Sequence, residues 1–176
     1  RAFTSEVIEI LREDNNLREI GIRGDCVFAI YTTPTPNDIM ECADKTFYIN
    51  TFIEMLNQML IQRNMQKIRV GIGMASDKEL VIKTGRKNVS INDKVWIGKA
   101  VTIASKLSGL GDKNNNFRLA YSNTSFINFI KILEKKNSSK NTRGWFSEKT
   151  LSELNIKYYQ AGIIKTEFNN WINNEI

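Results

Sequence analysis

Residues 18–34 read "REIGIRGDCVFAIYTTP". A strand-like run leads in, Gly24 and Asp25 interrupt it, and the apolar run Cys26–Tyr31 leads out. Glycine beside aspartate is the composition of a tight hairpin turn, because both residues tolerate positive φ. The stretch therefore predicts two strands joined at Gly24-Asp25, with Pro34 and Pro36 stopping the second. It sets a carboxylate, Asp25, at the tip of a ribbon that otherwise looks buried, a costly place for a charge with no task.

The flanking sequence gives the order of elements. Ahead of the hairpin, Phe3, Val7, Ile8, Ile10 and Leu11 have helical spacing. Behind it, Asn37 is a candidate N-cap for a long helix to Gln66, with Ile39, Ala43, Phe47, Phe52, Met55, Leu56, Met59 and Leu60 along one broad face. That stripe is core. "KIRVGIGMAS" and "KELVIKTG" read as two strands joined by a polar turn, and "RKNVSINDK" reads as a polar loop. The second half of "VWIGKAVTIASKLSGLG" is a helix stopped by Gly109 and Gly111. "FRLAYS" is a strand, "NTSFINFIKIL" a capped helix, and "EKKNSSKN" a low-complexity connector expected to be mobile. "KYYQAGIIKT" has strand character, and "EFNNWINNEI" is expected to dock a last aromatic turn. Strand pairs separated by long helices predict an α+β sandwich, its helices packed on one mostly antiparallel sheet.

Composition narrows the chemistry. The chain has 176 residues, 41% hydrophobic, enough for one domain with a sizeable core. It contains no histidine, which excludes a Ser-His-Asp triad and imidazole metal ligands. Its two cysteines, Cys26 and Cys42, show no metal spacing and form no disulfide framework, so a reducing, cytoplasmic setting is the economical reading. No apolar run approaches the roughly 18 residues of a membrane span. The net charge of +6 suits an anionic partner such as a nucleotide or phosphate. The basic residues are scattered, with no aromatic-basic stripe, so no nucleic-acid partner is expected. The chain does not begin with Met and is read as starting partway through a longer product.

Three segments in this order, "IRGDCVFAIY", "KIRVGIGMAS" and "VWIGKAVTIASKLSGLG", resemble the catalytic domain of class III nucleotide cyclases over residues 1–122. The "KTGRK" run ahead of "VWIGKAV" and "ASKLSGLG" looks closer to the bacterial pyrimidine cyclases of antiphage signalling, which are similar in fold and make cyclic UMP or cyclic CMP. The resemblance implies a reaction. The 3′-hydroxyl of UTP or CTP attacks the α-phosphorus and pyrophosphate leaves, assisted by two divalent ions, Mn²⁺ or Mg²⁺, which favour carboxylate ligands.

By that resemblance Asp25 is the second of two metal-binding aspartates. The first belongs to a strand ahead of the opening helix, so residues 1–176 are read as a single catalytic domain lacking its first strand. Arg69 would bind triphosphate oxygens through its planar fork of donors. Thr102 and Lys106 take the positions where Asn and Arg are usual. They lie one helical turn apart on one face and would donate to the ribose and stabilise developing charge. The positions that read a purine hold Gly21 and Val95, which cannot do so in the usual way. That counts against ATP and GTP and leaves a pyrimidine to be read by residues elsewhere. "KTGRK" (83–87) is either a phosphate or subunit contact or an exposed basic turn, and Trp96 a packing anchor rather than a stacking platform. Because the chain carries both kinds of site position, the resemblance implies a head-to-tail homodimer. Asp25 and Arg69 of one copy would then work with Thr102 and Lys106 of the other.

Rival readings remain at this level. One keeps the reaction but uses ATP or GTP. Another is a catalytically inactive regulatory domain that binds a nucleotide, which the Thr102 and Lys106 departures suit. A diguanylate cyclase or palm-type polymerase relative also carries an acidic hairpin but has no helix like "GKAVTIASKL".

Overall fold

A computed structural model describes residues 2–85 and 92–175. Its element order is helix α1 (Ala2–Arg12), strands β1 (Leu17–Arg23) and β2 (Cys26–Tyr31), helix α2 (Pro36–Gln62), strands β3 (Ile72–Met74), β4 (Leu80–Gly85) and β5 (Asn92–Ile97), helix α3 (Lys99–Ser108), strand β6 (Leu119–Ser122), helix α4 (Asn123–Lys136), strands β7 (Phe146–Leu151) and β8 (Ile156–Ala161), and helix α5 (Thr166–Glu175). The order read from the sequence holds as far as β4, and strand β5 ahead of α3 and helix α5 at the end add to it.

The hairpin forms as its turn chemistry requires. Arg23 pairs with Cys26, which leaves Gly24 and Asp25 as a two-residue loop. Gly24 has φ 60°, in the left-handed region where a Cβ would be strained. After it, Thr35 caps α2 rather than Asn37. Its hydroxyl accepts from the Asp38 amide at 3.4 Å, and the Asp38 carboxylate accepts from the Thr35 amide at 2.8 Å. Pro36 fits the first helical position, where its missing N–H costs nothing, and that moves the cap upstream. The helix also ends sooner than Gln66, at Gln62, with Asn64 at φ 56° just beyond.

The expected α+β sandwich forms as three layers, with helices on both faces of the four-stranded sheet. Strands β3, β6, β8 and β7 lie side by side in that order, with β3 parallel to β6 and the other pairs antiparallel. Strand alternation sends Leu119 and Tyr121 of β6 towards α2 and α4, where Met40, Ala43, Phe47, Phe126, Phe129 and Ile130 bury them. Ala120, between them, faces the other way and joins Tyr158, Leu151 and Leu107 of α3. A second cluster packs Val7 of α1 on Ile49, Phe52 and Ile53 of α2, and reaches Val27 of β2 and Ile72 of β3.

Helix α3 sits unusually close to β3. A Cβ on Gly73 would lie 2.0 Å from the Ala104 carbonyl oxygen, and one on Gly71 would lie 1.9 Å from that of Ser108. Those two glycines are why "RVGIG" reads as it does. They also leave a ladder of only three residues where a ten-residue segment looked strand-like.

The β1–β2 and β4–β5 hairpins form separate two-stranded ladders. Strand β5 begins at Asn92, inside the segment read as a polar loop, because β4 gives it a partner residue by residue from Gly85↔Asn92 to Leu80↔Ile97. Likewise the connector "EKKNSSKN" starts as helix, with α4 running to Lys136. Lysines in a last turn favour the negative end of the helix dipole. The "EFNNWINNEI" segment is helix α5, not a turn. Among the described residues no helix is long and apolar enough to cross a membrane.

Candidate functional site

Asp25 stands where the sequence puts it, exposed at the tip of the first hairpin. A Cβ on its neighbour Gly24 would meet nothing within 4 Å, so the space beside the turn is open. A carboxylate carried there on rigid backbone is presented outward, not folded in.

Arg69 is exposed on the approach to β3, and its backbone is clamped on both sides. The Asn57 side chain accepts from the Ile68 amide at 2.9 Å and donates to the Ile68 carbonyl at 3.1 Å. The Val70 amide donates to Asp112 at 3.3 Å. A guanidinium on so fixed a support loses little freedom on meeting an anion. Val27, two residues past Asp25, and Val70, next to Arg69, pack against the same cluster of α1 and α2 residues.

Thr102 and Lys106 ride on α3, across the four-stranded sheet from α2. Thr102 is exposed and Lys106 half-buried. Two features fix the start of this helix. The Glu79 carboxylate accepts from the Ala100 amide at 2.5 Å, a negative charge on the positive helix end. Gly98 makes room for it, since a Cβ there would lie 2.0 Å from Glu79 Oε2. At the other end the Lys106 ammonium donates to Glu153, in the turn between β7 and β8, at 2.5 Å. That hydrogen bond, with the charge behind it, holds the Glu153 carboxyl below its ordinary range. Glu153 is 68% exposed, so the pair is screened by solvent and easily exchanged for another anion.

The positions expected to be mute towards a purine are occupied in an unforeseen way. The Phe28 ring takes the space a side chain at Gly21 would need, 2.8 Å from an ideal Cβ. The Arg23 guanidinium lies 5.6 Å from the centre of that ring. Trp96 on β5 is half-buried, and its indole N–H donates to Glu19 of β1 at 2.5 Å, tying the two hairpins together. The side chain of Val95 and residues 86–87 of the "KTGRK" run lie outside the described residues.

The structure sets Thr102 and Lys106 one turn apart on α3, while no contact among the described residues joins Asp25 to Arg69 or either of them to α3. Nor do the described residues contain a group of three or more His, Cys, Asp or Glu side chains able to hold a metal ion. Asp25 supplies one hard oxygen ligand, half of what a two-ion centre needs. A surface cavity of about 440 Å³ lies elsewhere, lined by Glu13, Asp14, Glu41, Asp44, Lys45 and Lys136 with two asparagines, too acidic for a triphosphate. Beside it, burial pushes the Cys42 thiol up to about 12, with the Asp14 charge adding to the effect, which disfavours the thiolate.

Sequence reading missed Glu19, Glu79 and Glu153. Glu19 shares a strand face with Gly21 and was open to discovery by period-two reasoning. The pairing of Glu153 with Lys106, 47 positions apart, left no local signal.

No protein-family model matches the chain. Two curated relatives do. A uridylate cyclase from Treponema porcinum is 46% identical over 173 residues, covering 98% of this chain and 57% of the relative. A uridylate cyclase from Gulbenkiania mobilis is 25% identical over 177 residues, covering 97% of this chain and 68% of the relative. The chain therefore spans somewhat over half the length of the first. Among solved structures, the guanylyl cyclase Cya2 matches with a TM-score of 0.64 at 11% identity, covering 95% of this chain and 80% of that one. A bacterial light-regulated adenylyl cyclase matches with a TM-score of 0.62 at 15% identity, covering 98% and 46%. The fold is the one that the segments around Asp25, Arg69 and Thr102 imply.

Proposed function

We propose that this chain, a relative of proteins named uridylate cyclase and folded like class III cyclases, is the catalytic domain of a pyrimidine nucleotide cyclase that converts UTP to 3′,5′-cyclic UMP and pyrophosphate. One observation carries the reading. Asp25, a ligand type suited to cations, and Arg69, Thr102 and Lys106, donors suited to a phosphorylated sugar, all reach the solvent, the last two one turn apart on α3.

In this scheme the O3′–Pα bond forms as the bond from Pα to the bridging oxygen breaks, and pyrophosphate departs with the electron pair. Arg69 binds the triphosphate through paired hydrogen bonds. Thr102 donates to the ribose region. Lys106 leaves Glu153 for the phosphate and opposes the charge that develops during transfer. Asp25 would hold divalent cations, Mg²⁺ or Mn²⁺, together with a second carboxylate from a strand ahead of α1. Such ions, when bound, ease ionisation of the 3′-hydroxyl and neutralise the leaving group. A strand there is supported by the open edges of the β1–β2 hairpin and β3, which have no ladder partner on one side among the described residues and pack on a common cluster.

Two copies in head-to-tail arrangement would unite Asp25 and Arg69 of one with Thr102 and Lys106 of the other, making two equivalent sites. This is supported by the apolar surface of β4 and its surroundings. Leu80, Val81 and Ile82 are consecutive and all exposed, with Ile97 and Val101 beside them. The product would serve as a cytoplasmic alarm signal in antiphage defence. The rival reading, a nucleotide-binding domain without turnover, draws on the engagement of Lys106 by Glu153.

A nucleotide panel on the purified full-length protein with Mn²⁺ tests the proposal. UTP should yield cyclic UMP and pyrophosphate, and Asp25→Ala should cut turnover by about a thousandfold while folding normally. Cyclic AMP as the sole product would refute the pyrimidine reading, and full activity of Asp25→Ala would refute the mechanism.

A further inference from the structure

We infer that Glu19, oriented by Trp96, reads the base of the nucleotide by accepting the N3 hydrogen of uracil; this rests on the cyclase reading above. The first support is location. Trp96 lies on β5 just before Gly98 and the start of α3, so the Glu19–Trp96 contact sits at the root of the helix that carries Thr102 and Lys106. With a rise of 1.5 Å per residue, Lys106 stands about 12 Å along the helix from Gly98. A nucleotide with its phosphates at Lys106 and its ribose at Thr102 therefore directs its base back towards Trp96 and Glu19.

The second support is the neighbouring face of β1. Glu19, Gly21 and Arg23 project to one side, and Phe28 from β2 covers Gly21. The ring closes the site at Gly21 and carries the Arg23 guanidinium on it. The first polar group on that face beyond the ring is the Glu19 carboxylate.

The third support is hydrogen-bond arithmetic. An indole N–H can only donate, so one carboxylate oxygen of Glu19 is committed to Trp96 at 2.5 Å. Carboxylate planarity then fixes the direction of the other oxygen, which can only accept. Uracil offers one donor, N3–H, on its pairing edge. Cytosine and adenine have an acceptor at the ring nitrogen, which would face the carboxylate lone pair to lone pair. Guanine offers two adjacent donors, which suit a carboxylate with both oxygens free, and this one has one. A site built around one substrate N–H rejects analogues without it strongly, because its own polar group is left unpaired.

The test measures kcat/KM for UTP and CTP with the full-length protein and Mn²⁺. Wild type should prefer UTP by at least about a hundredfold. Glu19→Gln keeps the size and can still accept from Trp96, but turns an N–H₂ donor towards the base, which suits the cytosine ring nitrogen. The UTP:CTP ratio should fall by about a hundredfold or invert, mostly through KM. Trp96→Phe, which keeps a ring but loses the N–H, should lower the ratio by about tenfold. A wild type that favours CTP overturns the inference and leaves cyclase activity standing. So does a Glu19→Gln ratio equal to wild type, or a uniform loss of activity on both nucleotides with Trp96→Phe unaltered. Wild type that cyclises neither nucleotide defeats the cyclase reading, and this inference with it.

Discussion

Asp25 and Lys106 carry opposite charges and live in opposite circumstances. Asp25 is exposed with no partner among the described residues, whereas Lys106 is already engaged by Glu153. An exposed ion pair is worth little, so Glu153 restrains Lys106 without locking it. Glu153→Gln is expected to lower KM for UTP by up to about fivefold, an effect that fades at high salt. An unchanged KM at low salt would show that Glu153 does not compete with the triphosphate. The cysteines give a second check at this scale. Cys26 is exposed and Cys42 half-buried, its thiol pushed up to about 12. Iodoacetamide at pH 8 should alkylate the first and spare the second, read by peptide mass spectrometry. Asp25 was legible from Gly24-Asp25 alone, since turn chemistry is local. The strand face of Glu19 was legible in the same way, but its partner was not, because Trp96 lies 77 positions away.

Elements were legible where periodicity and packing agree, and illegible where a tertiary contact overrides local preference. Helices α1, α3 and α4 show their apolar spacing in the sequence. Strand β5 does not, since its first half is polar and only the β4 ladder makes it a strand. The extent of β3 was overestimated for the opposite reason. Gly71 and Gly73 look like strand residues, yet their role is to let α3 approach. Gly73→Ala should push α3 off the sheet and destabilise the fold by about 1–3 kcal/mol, lowering the thermal midpoint. Activity should fall further than the folded fraction does, because α3 carries Thr102 and Lys106. A Gly73→Ala protein of wild-type stability would contradict the close approach.

At the scale of the whole molecule, the sequence carried the α+β class but not the three layers. Which sheet face a helix covers depends on long-range alternation, as with Leu119 and Ala120 of β6 pointing to opposite cores. The candidate site has the same character. Its proposed residues can be named along the chain, but contacts such as Lys106 with Glu153 exist only in three dimensions. In the proposed scheme a second copy completes the site, and the exposed apolar run on β4 offers a surface to bury. The decisive measurement is a mixing experiment with two full-length variants, Asp25→Ala and Lys106→Ala, each inactive alone on UTP. In an equilibrated equimolar mixture, half the dimers pair one variant with the other, and each such dimer keeps one intact site. Cyclic UMP formation should return to about a quarter of the wild-type rate. A mixture that stays as inactive as its components would contradict the shared site.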